Sequence, residues 1–175
     1  MPTNIEAKFR CPELGSVESR AQVFADNGPT ILCQTDTYFE VPDGRLKLRE
    51  FPDAPAELIG YSRADAAATR PSQWRIVTID DPDSLKEILL GTCGLKTVVD
   101  KKRTLYLIGQ TRVHLDEVEG LGSFVEIEVV LGEGEDETTG QAVADEISKK
   151  MGLGNLTPEP RSYSDLMIER SHQQQ

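Results

Sequence analysis

The sequence predicts an α+β fold: a closed antiparallel barrel of about eight strands, with a tunnel for an interior and helices packed on its outside. Two patterns carry that reading. Apolar and charged residues alternate with period two in several separated runs, so that successive side chains face opposite sides of a sheet. Apolar residues also recur at helical spacing in three short stretches between those runs. About eight strands is the number at which a closed barrel has an interior that side chains just fill or that holds one small ligand. Closure also leaves no strand edge exposed.

Taken in order, Asn4 to Arg10 places Glu6, Lys8 and Arg10 in one phase and Ile5, Ala7 and Phe9 in the other. Leu14, Val17, Ala21 and Phe24 then make a helical stripe that Asn27-Gly28 ends. Thr35 to Val41 is rich in strand formers, and Pro42-Asp43-Gly44 turns the chain into Arg45 to Arg49, which reads as a hairpin. Glu57 to Arg63 and Gln73 to Ile79 form a second hairpin around the softer segment Ala64 to Ala68. Pro82 opens a helix carrying Leu85, Ile88 and Leu89. Val98 to Ile108 and Thr111 to Val118 follow, joined at Gly109-Gln110, and past Gly120 to Gly122 the stretch Phe124 to Leu131 alternates again. Val143, Ile147 and Met151 mark a last helix, ended by Gly152. One apolar stripe per helix suits the outer face of the barrel, which leaves the charged phase to line its interior.

The length of 175 residues suits one core, read here as a single domain over residues 1–170 with a frayed tail at 171–175. A formal net charge of −11 argues against nucleic acid as a partner, although a small polyanion can still find a local basic pocket. No stretch reaches the roughly 20 apolar residues of a membrane span, and no basic region followed by an apolar run marks a signal peptide; the expected location is cytoplasmic. Cys11, Cys33 and Cys93 are odd in number and widely spaced, which fits neither a disulfide framework nor a zinc site.

The chemistry lies in the charge rows. Arg45, Lys47 and Arg49 put three cations on one face of one strand, an unfavourable arrangement unless an anion compensates it. Lys101 and Arg103 share a phase, as do Arg112, His114 and Asp116. Glu126 and Glu128 aim two carboxylates the same way, about 7 Å apart along their strand. Mg²⁺ typically binds through one or two carboxylates plus substrate phosphates, and Arg and Lys neutralise the remaining phosphate oxygens. A glutamate pair opposite a cluster of cations therefore reads as a site for a metal-bound triphosphate.

These residues also carry a resemblance. Asn4-Ile5-Glu6-Ala7-Lys8 resembles the ExExK strand of the CYTH superfamily, the triphosphate tunnel metalloenzymes that include class IV adenylyl cyclases, thiamine triphosphatases and inorganic triphosphatases. Asp36-Thr37-Tyr38-Phe39, Gly44 to Arg49, Lys101-Lys102-Arg103, His114 to Gly122 and Phe124 to Glu128 resemble further strands of that family in the same order, over nearly the whole chain. One departure stands out, since Asn4 occupies the place of the first motif glutamate. The resemblance implies a phosphoryl-transfer enzyme needing Mg²⁺ or Mn²⁺, with Glu6, Glu126 and Glu128 as metal ligands and Asp116 as a compensating one. It implies triphosphate contacts from Lys8, Arg45, Lys47, Arg49, Arg63, Lys101, Arg103 and Arg112, which Arg10 joins by its row. Lys8, Arg103 and the three glutamates would form the reacting centre. Hydrolysis of an inorganic, thiamine or nucleoside triphosphate, cyclisation of ATP to cyclic AMP, and non-catalytic polyphosphate sensing are the three readings, the missing glutamate favouring the last. A homodimer is the family-level expectation.

Three further groups complete the set. His114, in the inward phase, could assist proton transfer or serve as a structural hydrogen-bonding group. Tyr38 and Trp74 read as packing groups, either of which could stack on a base or thiazole. Arg161-Ser162-Tyr163 resembles a family element that closes one tunnel mouth, or else only starts a helix capped by Ser162 or Ser164.

Overall fold

A computed structural model describes residues 3–173 apart from 64–69, and the side chains of all of these but 63, 70 and 71. In chain order the elements are β1 (Thr3–Arg10), α1 (Gly15–Phe24), β2 (Asn27–Phe39), β3 (Arg45–Glu50), β4 (Ala56–Arg63), β5 (Arg70–Ile79), α2 (Pro82–Thr92), β6 (Leu95–Ile108), β7 (Thr111–Val118), β8 (Gly122–Val130), α3 (Glu137–Met151), the two-residue β9 (Thr157–Pro158) and α4 (Tyr163–Gln173). The strands run β5-β4-β3-β2-β6-β7-β8-β1, and pairing of β1 with β5 closes them into a ring of eight. Every pairing is antiparallel, and β9 adds to the outer end of β1.

The period-two pattern sorts the faces as expected. Ile5, Val113, Leu115, Val125, Ile127 and Val129 point outward from β1, β7 and β8 into a buried core shared with Val17 and Ala21 of α1 and Ala144, Ile147 and Met151 of α3. α3 lies close against the sheet because Gly140 has no side chain: a Cβ there would sit 2.6 Å from both Ile5 and Leu131. Asp136 caps its start by accepting from the Thr139 N–H, and Gly152 ends it in the left-handed conformation at φ 72°. A second patch, Phe39, Leu48 and Ala56, is covered by Leu85 and Leu89 of α2.

The fourth helix has a different place. Ser162 and Asp165 cap α4 reciprocally, the Ser162 hydroxyl accepting from the Asp165 N–H at 3.1 Å and the Asp165 carboxylate accepting from the Ser162 N–H at 3.3 Å. The helix then sets Tyr163 and Leu166 into a cluster with Tyr38, Val99, Val118 and Phe124, where one end of the ring is filled. Residues 171–173, expected in the frayed tail, continue α4. β2 also begins earlier than its strand-forming run suggested: Asn27 already pairs with Leu107 of β6, and after an irregularity the pairing resumes at Thr30 with Leu105.

Candidate active site in the tunnel

All eight ring strands contribute inward side chains to one cavity of about 690 Å³, with Ser162 and Tyr163 at its α4 end. Two ionic clusters and one apolar wall surround it.

The first cluster is built on Asp36 of β2. Register sets Asp36 opposite Arg49 of β3 and Gln34 opposite Lys101 of β6, so three strands converge on one carboxylate. Its oxygens accept from Arg49 Nε at 2.7 Å and Nη2 at 2.9 Å, from Lys47 Nζ at 2.8 Å and from Lys101 Nζ at 2.7 Å. Asp36 is only 1% exposed. Burial alone would raise its pKa, but Arg49, Lys101 and Lys47 outweigh it and hold the carboxyl well below the usual range. Burial pushes the Lys47 ammonium well down, with Arg49 adding to the fall, and brings Lys101 down to about 8. Each cation retains N–H groups that Asp36 does not use.

The second cluster is mixed. Glu6 of β1 lies directly opposite Glu128 of β8, and Lys8 opposite Glu126. On the other side of β8, Arg112 faces Glu128 and His114 faces Glu126. Arg103 Nη2 donates to Glu126 at 3.1 Å and Arg112 Nη1 to Glu128 at 3.5 Å, while the Asn4 amide donates to Glu128. His114 stands between the two glutamates, with Nδ1 3.6 Å from Glu126 and Nε2 3.7 Å from Glu128. Burial works against the charge on Glu126, yet His114, Arg103 and Lys8 hold its carboxyl well below the ordinary range.

Six of the cations read from the sequence therefore line the cavity: Lys8, Lys47, Arg49, Lys101, Arg103 and Arg112, together with Glu6, Glu126 and Glu128. The structure does not bring Arg10 and Arg45 there. Arg10 lies at the β9 end of β1, 2.9 Å from Glu159 and over the Phe124 ring, and Arg45 is held at 2.8 Å by Asp165 of α4. Asp116, expected as a metal ligand, is fully buried with both oxygens engaged. They accept from Arg103 Nε and Nη2 at 2.6 Å each and from the Tyr163 hydroxyl at 2.8 Å, so Asp116 fixes Arg103 instead. The Arg63 side chain lies outside the described residues. Lys8 reaches the α4 end, where its ammonium donates to the Arg161 carbonyl and sits 4.4 Å from the Tyr163 ring centre.

Asp36 itself was missed as a site residue. The alternation Gln34, Asp36, Tyr38 is the signal that could have found it.

The CYTH domain model matches residues 2–163 of this sequence. The chain belongs to the CYTH domain family. Adenylate cyclase CyaB of Aeromonas hydrophila is 23% identical over 170 residues, covering 93% of this chain and 87% of that protein. Among solved structures, the PH1012 protein of Pyrococcus horikoshii OT3 superimposes with a TM-score of 0.84 at 23% identity, over 93% of this chain and 98% of that one. HpAC1 of Hippeastrum, an adenylyl cyclase candidate described as having a dominant triphosphatase activity, gives a TM-score of 0.67 at 17% identity, over 98% and 96% of the two chains. The closed ring with outer helices is thus the CYTH fold.

The CYTH tunnel fits a divalent ion by its donor set. Among the described residues no three His, Cys, Asp or Glu side chains converge as a ready cation cage. Glu6 and Glu128 instead meet at directly opposed positions, a like-charge pairing that a cation between them would favour. Beside them the buried Asn4 Oδ1 has no hydrogen-bond partner among the described residues. Carboxylate and amide oxygens without a closed cage suit Mg²⁺ or Mn²⁺, ions that bring water and substrate oxygens as further ligands.

Proposed function

We propose that this CYTH chain is an Mg²⁺- or Mn²⁺-dependent triphosphatase, hydrolysing the terminal phosphoryl group of an inorganic, thiamine or nucleoside triphosphate inside its tunnel. The observation that carries the reading is the division of the cavity into two clusters, cations gathered by Asp36 and opposed glutamates on β1 and β8. Membership in a family whose relatives bear the names adenylate cyclase and triphosphatase supports triphosphate chemistry in general.

In this reading Lys47, Arg49 and Lys101 bind phosphate oxygens through the N–H groups that Asp36 leaves unused, and Arg103 adds its guanidinium edge from the same face of β6 as Lys101. Asp116 and Tyr163 hold Arg103 in place, so its charge is pre-oriented where the transferring phosphoryl group develops negative charge. Glu6, Glu126 and Glu128, with the Asn4 carbonyl oxygen, would hold the metal, which when bound supplies Lewis-acid polarisation of a phosphoryl oxygen. Water adds to the terminal phosphorus, the bond to the bridging oxygen breaks, and orthophosphate leaves the shortened chain. No covalent nucleophile is required.

The relative from Aeromonas hydrophila favours a second reading, cyclisation of ATP, because it aligns over 93% of the chain and is named an adenylate cyclase. The test is to incubate the protein with ATP, thiamine triphosphate and inorganic tripolyphosphate, each with Mg²⁺ or Mn²⁺, and identify products by mass spectrometry. Orthophosphate with metal and none in EDTA is the expected result. Cyclic AMP with pyrophosphate would establish the cyclase instead, and no product from any substrate would leave binding alone.

A further inference from the structure

The side of the tunnel formed by β4 and β5 carries almost no charge among the described residues. Ile59 is paired with Ile76 and Tyr61 with Trp74, so four inward side chains form a two-by-two apolar and aromatic block lining the same cavity as the ions. The neighbouring inward positions are Glu57 and Thr78 at one edge of the block and Ser72 at the other. Leu105 of β6 extends the apolar lining on the far side.

A phosphate chain alone has no use for such a surface, because its oxygens need donors and metal. The block is not simply core either. Ile76 is 43% exposed although it lines the cavity, and Trp74 is half-buried. The indole N–H of Trp74 meets no hydrogen-bond acceptor among the described residues, although buried indoles usually find one. An indole that faces a ligand-sized cavity and is not pinned by its nitrogen can turn to lie flat on a planar ring. Its neighbours supply the apolar bed: Tyr61 across the pair and Ile76 two residues along the strand.

We propose that this β4–β5 block is the subsite for the organic part of the substrate, a planar nitrogen heteroaromatic group carried on the triphosphate and stacked against Trp74. The inference rests on the triphosphate reading above and narrows it, since it makes an organic triphosphate the preferred substrate over inorganic tripolyphosphate. Stacking accepts any planar base, so both purine nucleotides and the aminopyrimidine of thiamine satisfy the chemistry. Trp74 sets preference among substrates and takes no part in the phosphoryl step.

Trp74 is the sole tryptophan of the chain, so its fluorescence reports on this subsite alone. The folded protein is titrated with ATP, with thiamine triphosphate and with tripolyphosphate, using Ca²⁺ in place of Mg²⁺ to slow turnover. A saturable change in emission with one or both organic triphosphates, reversed by excess tripolyphosphate that has little effect alone, is expected. ATP and thiamine triphosphate, run separately, identify the ring. Steady-state assays of Trp74→Leu, and of Trp74→Phe to retain a planar ring, complete the test. The ratio of kcat/KM for the organic triphosphate to that for tripolyphosphate should fall at least tenfold in Trp74→Leu and recover in part in Trp74→Phe.

An unchanged ratio in Trp74→Leu overturns the inference, as does equal quenching by tripolyphosphate. A loss shared equally by all substrates would mark Trp74 as structural and overturns it too. Failure of the underlying reading looks different: no triphosphate of any kind would bind or turn over in the wild-type protein.

Discussion

Around Asp36 three cations share one buried carboxylate, whereas around Glu128 carboxylates and cations are interleaved and two of the carboxylates face each other directly. In the first cluster every charge has a partner within 2.9 Å. In the second cluster the ion pairs from Arg103 to Glu126 and from Arg112 to Glu128 are longer, 3.1 Å and 3.5 Å, and among the described residues the Asn4 Oδ1 beside them is unpaired. Under the proposed function the difference is a division of labour, in which the Asp36 cluster would bind phosphate and the glutamate cluster a cation.

The strongest way to break that division is at the glutamates. Glu126→Gln keeps shape and removes one charge, and metal-dependent turnover should fall on the order of a thousandfold, the scale of losing a key electrostatic contact to the transition state. Calorimetric Mn²⁺ binding should weaken in parallel while tripolyphosphate binding without metal strengthens. Equal weakening of both would show that the two clusters act as one.

At Asp36 the expected effect is first on stability. Asp36→Ala leaves Lys47, Arg49 and Lys101 buried beside one another with no counter-charge, and removing one partner of a buried ionic cluster costs about 3–5 kcal/mol. Guanidinium denaturation measures it. The carboxyl is depressed in the fold, so its contribution is complete above its unfolded value of about 3.9 and is lost as pH falls through the lower folded value. The difference between wild type and variant should therefore be full at neutral pH and close in strong acid. A constant difference down to pH 2 would place the cost in packing instead of charge.

The contrast between the clusters also explains which parts of the site were legible in the sequence. Period two reports which face a side chain takes, so Lys47, Arg49, Lys101, Glu126 and Glu128 could be placed inside from their rows alone. It does not report depth along the barrel. Arg10 and Arg45 sit in the correct phase yet lie beyond the cavity, held by Glu159 and Asp165 near the C-terminal segment. Nor does it report which strands become neighbours. Asp116 looks like a metal ligand until register sets it opposite Arg103, and Asp36 looks like an isolated acid until β3 and β6 bring three cations to it. The three outer helices were readable from their apolar stripes; α4 carries one too, Tyr163, Leu166 and Met167 at helical spacing, but it fills the end of the tunnel instead of covering the outer face.

A smaller effect sharpens the view of the Asp36 cluster as a phosphate site. Burial brings the Lys101 ammonium down to about 8, Asp36 pulling the other way and Arg49 and Arg103 adding to the fall. As pH rises through that value the wall loses a positive charge, so kcat/KM should decline on the alkaline side, to about a tenth one pH unit above. Lys101→Arg keeps its charge at these pH values, and its alkaline limb should move up by more than one unit. A limb that stays in place belongs to another group.

The smallest effect concerns α4, which braces strands on both sides of the tunnel. α4 holds Asp116 through Tyr163 and Arg45 through Asp165, and its first turn depends on the reciprocal bonds between Ser162 and Asp165. Ser162→Ala removes the hydroxyl cap and should cost about 1 kcal/mol in stability, measured by the denaturation midpoint. Because the helix end serves both sides of the tunnel, loosening it should shift phosphate affinity and metal affinity by similar factors of about two to five, within what about 1 kcal/mol allows. A change confined to one ligand would mean that α4 supports only that cluster, Arg103 through Asp116 and Tyr163 on one side or the end of β3 through Arg45 on the other.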